Sequence, residues 1–297
     1  MSNTISEEIV HVNGTPQKLV IFLHGYIDSA DYVEGKISYL LDNLHNTAVH
    51  LPQAPIPCEV YEAKRQWYSM HRFDPDDTRK TVPTMDEFRA IYEKMKPGII
   101  EAAEYVNRYI DDCLEQYGLD NGDLYICGFS QGATLAIFLS LMRDSQIGGC
   151  VSFSGVMAPH SYLASHYRSA PDFLLIHGTK DNLLRFEALD YTKTRLREMG
   201  CAVSEYVIDE GMHRITEDGV ALRASFLIDK DGFVRHQVVN DLTIGRNVDE
   251  TLRIIDALQF TEKHGNVCPA GWHSGEEGMQ ATPEGAKDYL QKNAQKL

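Results

Sequence analysis

Several features that would place a chain in a class at once are missing from this sequence. No apolar run approaches the ~20 residues of a membrane-spanning helix. Residues 1–8 contain neither the basic region nor the apolar region of a secretory signal peptide. Because these features are absent, we expect a cytoplasmic protein without stable membrane insertion.

Metal-ligand and redox spacings of cysteine are also missing. The six cysteines include neither a Cys-x-x-Cys pair nor the spacing of a zinc site. Most of them lie in apolar stretches, as buried free thiols do. The sequence therefore predicts free thiols and no metal site. The cysteines are Cys58, Cys113, Cys127, Cys150, Cys201 and Cys268.

Positive charge is scarce. The 28 lysines and arginines face 43 aspartates and glutamates, which gives a net charge of -15. This balance argues against nucleic acid and anionic membranes as partners. The 297 residues, 43% of them hydrophobic and 24% charged, suit one large or two modest soluble domains.

The most informative stretch that is present runs from Leu124 to Ala133. It reads as a buried strand that enters Gly128-Phe129-Ser130-Gln131-Gly132 and then an apolar helix. Gly-x-Ser-x-Gly between a strand and a helix is the signature of a nucleophile elbow. The glycines allow close packing of strand and helix, and the helix N-terminus favours developing negative charge near Ser130. The alternative is an ordinary strand-turn-helix with an exposed serine.

The rest of the first two thirds alternates strands with helices. Continuous apolar runs predict strands at 18–23, 47–51, 149–156, 173–176 and 203–208. Helices are predicted after a Thr84/Glu87 capping box, on the stripe from Ile99 to Tyr117, and over 186–199. Such alternation predicts a mostly parallel, doubly wound α/β sheet. Residues 58–83 show no clear period and are expected to form a functional surface loop.

Three polar residues each follow a predicted strand. They are Ser130, Asp181 and His213, and the order Ser-Asp-His is the one expected for an α/β-hydrolase. Because ligands bind at the carboxyl ends of parallel strands, the three could meet there. Ser130 would attack an acyl carbonyl, His213 would take its proton, and Asp181 would orient the imidazole. The alternatives to Asp181 are Asp172, Asp190 and Asp209, and the alternatives to His213 are His160, His166 and His177.

An oxyanion must be stabilised in this chemistry. The backbone N–H of Gln131 would supply one donor, and that of Tyr26, in the turn after the first strand, the other. His24 is expected to be a structural hydrogen-bonding residue of that turn. Trp67 is a weaker candidate for substrate contact, with a core position as the alternative. No cofactor is required.

Residues from about 18 to 215 resemble the phospholipase/carboxylesterase family of α/β-hydrolases, which includes acyl-protein thioesterases. The resemblance implies hydrolysis of short acyl esters, thioesters or lysophospholipids, with Tyr26 and Gln131 as oxyanion donors. The matching segments are Ile21-Phe22-Leu23-His24-Gly25-Tyr26, Gln66-Trp67-Tyr68, Gly128 to Ala133, Ile176-His177-Gly178-Thr179-Lys180-Asp181 and Glu210-Gly211-Met212-His213.

Residues from about 219 to 297 are similar to the C-terminal part of a typical two-cysteine peroxiredoxin. The similarity implies that Cys268, in Val-Cys-Pro, corresponds to a resolving thiol. No cysteine has the Pro-x-x-x-Thr-x-x-Cys setting of the peroxidatic residue, so peroxidase activity of this chain alone is not expected. The matching segments are 223–229, 239–242, 245–246 and 267–272.

Two domains are therefore predicted: a hydrolase domain over 1–218 and an incomplete peroxiredoxin-like segment over 219–297. Residues 222–228 and 233–239 read as a hairpin. The stretch 220–228 would otherwise have to supply the closing helix of the hydrolase, or leave a sheet face uncovered. Past about residue 229 we expect poor packing, with only the helix over 247–265 stable and a mobile tail from Gly265 onward.

Three functional hypotheses follow. The first is a serine esterase or thioesterase acting on a small acyl ester or thioester substrate. The second is a redox or interaction module in which Cys268 pairs with a peroxiredoxin partner. The third is a hydrolase-fold binding protein with an inactive site, which the filled triad positions disfavour. A homodimer is compatible with the sequence.

Overall fold

The computed structural model describes residues 8–41, 43–82, 84–215, 223–228, 234–240 and 247–293. The chain divides into two compact units, Met1–Val220 and Ala221–Leu297. The join predicted near residues 216–221 lies outside the described residues. Within the described ranges, no helix combines the length and apolar character needed to cross a membrane.

The first unit is built on a seven-stranded sheet. Its strands are β1 (Glu8–Asn13), β2 (Lys18–Leu23), β3 (Thr47–Pro52), β6 (Leu124–Phe129), β7 (Gly149–Phe153), β8 (Phe173–Gly178) and β9 (Val203–Ile208), while β4 (Ile56–Pro57) and β5 (Arg65–Gln66) form a separate ribbon. The order is β1-β3-β2-β6-β7-β8-β9. Only β1 pairs antiparallel, with β3, and the other pairings of this sheet are parallel. The predicted α/β class, of the α/β-hydrolase fold, is confirmed.

Helices connect these strands; the two over 30–41 and 160–166 were not predicted, and the other four lie at predicted places. They are α1 (Ala30–Leu41), α2 (Met85–Lys94), α3 (Lys96–Tyr117), α4 (Gln131–Met142), α5 (His160–His166) and α6 (Glu187–Glu198). The Thr84/Glu87 capping box is present at the start of α2. Gly118 ends α3 with a φ of 66°, a left-handed conformation that glycine adopts without strain.

The direction of winding reverses between β2 and β6. The chain passes from β2 to β3 on one side, and later enters β6 on the other side of β2. At such a reversal the loops that follow the two strands diverge and leave a crevice at their carboxyl ends. The residues that follow β2 and β6 include Tyr26 and Ser130, so the fold places both of these residues beside this crevice.

The two faces of the sheet differ in cover. One face packs against a large hydrophobic cluster with side chains from α2, α3, α4 and α6. On the other face a smaller cluster gathers around Val33 and Ile37 of α1. Beside α1, alternate residues of β2, β6 and β7, such as Val20, Cys127 and Val151, line an apolar cavity of about 380 Å³.

The second unit contains more structure than the sequence predicted. The hairpin is confirmed as β10 (Arg223–Ile228) paired antiparallel with β11 (Val234–Asn240). The described part of 220–228 is therefore a strand, and the alternative of a closing helix there is wrong. Helix α7 (Val248–His264) ends at Gly265, as predicted.

The expectation of a mobile tail from Gly265 onward is also wrong. Helix α8 (Pro283–Asn293) forms beyond it, and the Thr282 hydroxyl accepts the backbone N–H of Gly285 at 3.0 Å. Trp272 is 2% exposed, and its ring centroid lies 4.9 Å from that of Phe260. A buried tryptophan packed against the partly buried Phe260 thus anchors a segment whose glycine, proline and charge content pointed to disorder.

Candidate active site

The elbow is formed by close packing of β6 on α4. Ser130 has φ 54° and ψ -112°, a strained conformation for a residue with a side chain. A Cβ atom at Gly128 would overlap the backbone of Gly132, and one at Gly132 would overlap the carbonyl oxygens of Leu23 and His24. Both glycines are therefore required, as predicted, and the sharp turn presents Ser130 at the carboxyl edge of the sheet.

The structure brings the three predicted polar residues together. His213 Nε2 lies 2.8 Å from Ser130 Oγ, and His213 Nδ1 lies 2.7 Å from Asp181 Oδ2. Because an ionised carboxylate can only accept, the imidazole carries its proton on Nδ1. Nε2 is then left to accept the proton of Ser130.

Asp181 is held in its ionised form. Its Oδ1 accepts the backbone N–H groups of Leu183 at 3.0 Å and Leu184 at 2.7 Å. Burial opposes ionisation, but the hydrogen bonds from His213 and Leu184 outweigh it and lower the pKa of Asp181 below its ordinary value. The carboxylate can therefore orient and stabilise a charged imidazole at neutral pH.

His177 supports the same loop, a role that its sequence position did not reveal. Its Nε2–H is donated to the carbonyl oxygen of Leu184 at 2.8 Å, and the same nitrogen lies 3.4 Å from Asp181 Oδ2. Burial lowers the pKa of His177, so the ring stays neutral. Its only sequence signal is the place just before Gly178 in the segment that precedes Asp181.

The turn after β2 is fixed by His24, which is structural as predicted. Its Nδ1–H is donated to Gly25 O at 2.8 Å, and its Nε2 accepts the N–H of Ala54 at 3.0 Å. Burial lowers the pKa of His24 to about 4, so the ring is neutral. These bonds hold the turn that carries Tyr26, the second predicted oxyanion donor.

The Gln131 side chain ties the elbow to the long loop, which sequence reasoning missed. Its Oε1 accepts the N–H of Trp67 at 2.9 Å, and its Nε2 donates to Tyr68 O at 2.8 Å. The backbone N–H of Gln131 stands at the N-terminus of α4, where the helix dipole favours an anion. The long loop is thus fastened to the site.

A cavity of about 260 Å³ lies against this group. Its wall includes Ser130, His213, Tyr26 and Gln131. Trp67 is not part of that wall: it is 1% exposed and donates its indole N–H to His24 O at 2.8 Å. The interpretation of Trp67 as a substrate contact is therefore corrected to a structural role.

Cys268 belongs to the second unit. It is half-buried, and its thiol lies 3.6 Å from Ala257 O and 3.9 Å from Thr261 Oγ1. All six cysteines are free thiols. In the part of the chain that the structure describes, no group of histidine, cysteine and carboxylate side chains could hold a metal ion.

The comparisons with known proteins also divide the chain into an N-terminal and a C-terminal part. The C-terminal domain of 1-Cys peroxiredoxin matches residues 257–292. Alkyl hydroperoxide reductase C of Helicobacter pylori is 57% identical over 81 residues, which are 27% of this chain and 41% of that protein. Peroxiredoxin TSA1-B of Candida albicans is 54% identical over 78 residues, 26% of this chain and 40% of that protein. This chain thus spans about two fifths of the length of these relatives.

Solved structures match the hydrolase part. Esterase PE8 superposes with a TM-score of 0.61 and 22% identity, over 72% of this chain and 92% of that one. The Bacillus cereus carboxylesterase has a TM-score of 0.53 and 15% identity, over 72% and 90% of the two chains. At these identities the likeness shows the fold. The family model of phospholipase/carboxylesterase matches residues 5–229, three quarters of the sequence, and the chain therefore belongs to the phospholipase/carboxylesterase family.

Proposed function

We propose that this protein is a serine hydrolase that cleaves carboxylic esters or thioesters. The observation that carries the proposal is the unbroken hydrogen-bonded chain from Asp181 through His213 to Ser130. Membership of the phospholipase/carboxylesterase family supports the same class of reaction. The cavity beside these residues offers space for an acyl group.

The geometry supports a two-step mechanism. Ser130 Oγ attacks the acyl carbonyl carbon while His213 Nε2 takes the hydroxyl proton, and Asp181 stabilises the imidazolium. His213 then gives the proton to the departing alcohol or thiol, which leaves an acyl-enzyme on Ser130. Water, deprotonated by His213, attacks this ester, and the acid is released with Ser130 restored.

The backbone N–H groups of Tyr26 and Gln131 would stabilise the oxyanion in both steps. Both residues are on the wall of the cavity that contains Ser130. The turn of Tyr26 is fixed by His24 and the side chain of Gln131 by the long loop, so the donors need little reorganisation during the reaction. Each such donor contributes about 3 kcal/mol of transition-state stabilisation.

The test is Ser130→Ala. We expect it to lower kcat for p-nitrophenyl esters by about 10⁴-fold or more and to abolish labelling by a fluorophosphonate. The matched control is Ser165→Ala, because Ser165 is an exposed serine whose Oγ lies 2.9 Å from His166 Nδ1. This second serine–histidine pair should be dispensable. Wild-type turnover by Ser130→Ala would refute the proposal.

A redox role for Cys268 is the alternative function. The similarity of residues 257–292 to a peroxiredoxin C-terminal domain favours it, since the thiol could pair with the oxidised cysteine of a peroxiredoxin partner. Non-reducing gels after peroxide treatment of such a partner test the idea, with Cys268→Ser as the control. The absence of a mixed disulfide that depends on Cys268 would reject it.

A further inference from the structure

Ile27 holds a backbone conformation that its side chain disfavours. Its φ is 59°, in the left-handed region. A β-branched residue there is an outlier, because its branched side chain crowds the neighbouring backbone. Such strain persists only where the surroundings impose it, and it concentrates at functional sites.

The surroundings of Ile27 do impose it. The carbonyl oxygen of Asp28 accepts the N–H of Arg65 at 3.2 Å, which ties the turn to the long loop. The carboxylate of Asp28 accepts the N–H of Ser29 at 2.9 Å. Ile27 lies on the wall of the same cavity as Ser130 and His213. The turn thus fixes a bulky aliphatic group beside the proposed nucleophile.

Charged residues bound another part of this cavity. We call them the Arg79 ion-pair cluster: Asp74, Asp77, Arg79 and Lys80. The Arg79 side chain is 7% exposed, pairs with Asp74 at 3.2 Å and also contacts Asp77, while Lys80 Nζ lies 2.7 Å from Asp77. Asp77, Arg79 and Lys80 lie on the cavity wall. An apolar chain that reached the exposed charges of Asp77 and Lys80 would remove their water without replacing its hydrogen bonds, which is unfavourable.

We infer that Ile27 and the Arg79 ion-pair cluster together limit the length of the acyl group, so that the substrates are esters or thioesters of short-chain acids. Lysophospholipids and long-chain acyl proteins are then excluded as substrates. This inference rests on the proposed serine hydrolase function. Ile27 is its specificity-determining residue, since a branched aliphatic side chain on the wall narrows the space that a longer acyl chain would need.

The test compares p-nitrophenyl acetate, butyrate, octanoate and laurate, which share a leaving group. For the wild type we expect kcat/KM to be at least about tenfold lower for octanoate than for butyrate. Ile27→Ala and Ile27→Gly should each raise the octanoate-to-butyrate ratio at least about tenfold, because both open the wall. The glycine variant should also melt at a higher temperature than the alanine variant, because only glycine relieves the positive φ.

Asn46→Gly is the matched control, since Asn46 also has a positive φ, 52°, but lies outside the cavity wall. Its chain-length ratio should equal that of the wild type. The inference is overturned if the wild type hydrolyses octanoate as fast as butyrate, or if the octanoate-to-butyrate ratio is unchanged in both Ile27 variants. The proposed function stands in either case as long as turnover depends on Ser130. Loss of Ser130 dependence for every ester overturns both.

Discussion

The two units of this chain bury their side chains differently. The first unit places polar groups such as His24, His177 and Asp181 inside a large apolar core, each with a hydrogen-bonding partner. In the second unit, Trp272 is the one large hydrophobic residue buried among the described side chains, and α7 and α8 bury none of theirs. The two units therefore differ in how firmly they can hold a side chain in position.

A site for acyl transfer requires groups fixed within a few tenths of an ångström, and a packed core provides that rigidity. The chain Asp181–His213–Ser130 has such a core behind it. The thiol of Cys268 lies near Ala257 and Thr261 at long sulfur contacts in a unit with little buried surface. The comparison therefore predicts strong catalytic effects from substitutions in the first unit and mainly structural effects in the second.

Apart from Ser130→Ala, the largest expected effect is that of Asp181→Asn. The asparagine keeps the shape of the side chain but can hold the imidazole in the wrong tautomer, so we expect kcat to fall about 10⁴-fold. Esterase kinetics and circular dichroism would measure activity and folding. Asp190→Asn is the matched control, because Asp190 is an exposed acid of α6 that pairs with Lys193. A loss below tenfold for Asp181→Asn would contradict the proposed role.

Trp272→Ala addresses the other side of the comparison. Removing this buried ring, its contact with Phe260 and its indole bond to Glu276 O should lower the unfolding free energy of the second unit by about 3–5 kcal/mol. Hydrogen exchange of the α7 amides would report the change, with the β6 amides as the internal reference.

Leu252→Ala provides the control for this prediction. Leu252 also lies in the second unit but is 55% exposed, so its substitution should change stability by less than about 0.5 kcal/mol. If α7 kept its protection in Trp272→Ala, the second unit would not depend on its one buried aromatic residue, and the contrast with the first unit would need another explanation.

The elbow could be predicted because its constraints are local. The turn itself requires Gly128 and Gly132. The alternation of strands and helices then places Ser130, Asp181 and His213 along the carboxyl edge of the sheet. Strand β1, the ribbon of β4 and β5, and helices α1 and α5 were not predicted. Strand β1 is largely exposed, with a weak alternation of burial, and acquires its structure by pairing with β3. A short edge strand with so little alternation of burial carries little periodic signal of its own.

The finer parts of the site depend on contacts between distant segments. The bond from Gln131 to Tyr68 and the bond from His177 to Leu184 exist only when separate loops meet. The positive φ of Ile27 depends on the pinned turn around it, since isoleucine by itself opposes that conformation. In the second unit, Thr282-Pro283 is a local signal for the start of α8, but the glycine, proline and charge content of the segment favoured a mobile tail.

The comparison also predicts where pH acts on stability, because buried titratable groups with shifted pKa values are found in the turn after β2. Burial lowers the pKa of His24 from 6.5 to about 4. Between these pH values the unfolded chain binds a proton that the folded chain does not, so the stabilisation is complete above 6.5 and is lost as pH falls towards 4. The change corresponds to about 3 kcal/mol.

Asp28, four residues along, should act in the opposite sense over nearly the same range. Burial raises its pKa from 3.8 to about 6, so its contribution to stability falls as pH rises through that interval. Urea unfolding at several pH values would give two differences in unfolding free energy. The first is the wild type minus His24→Asn, and the second is the wild type minus Asp28→Asn. The first difference should decrease as pH falls from 7 to 4 and the second should increase. Two differences that change in the same direction would show that burial of this turn does not set its proton affinity.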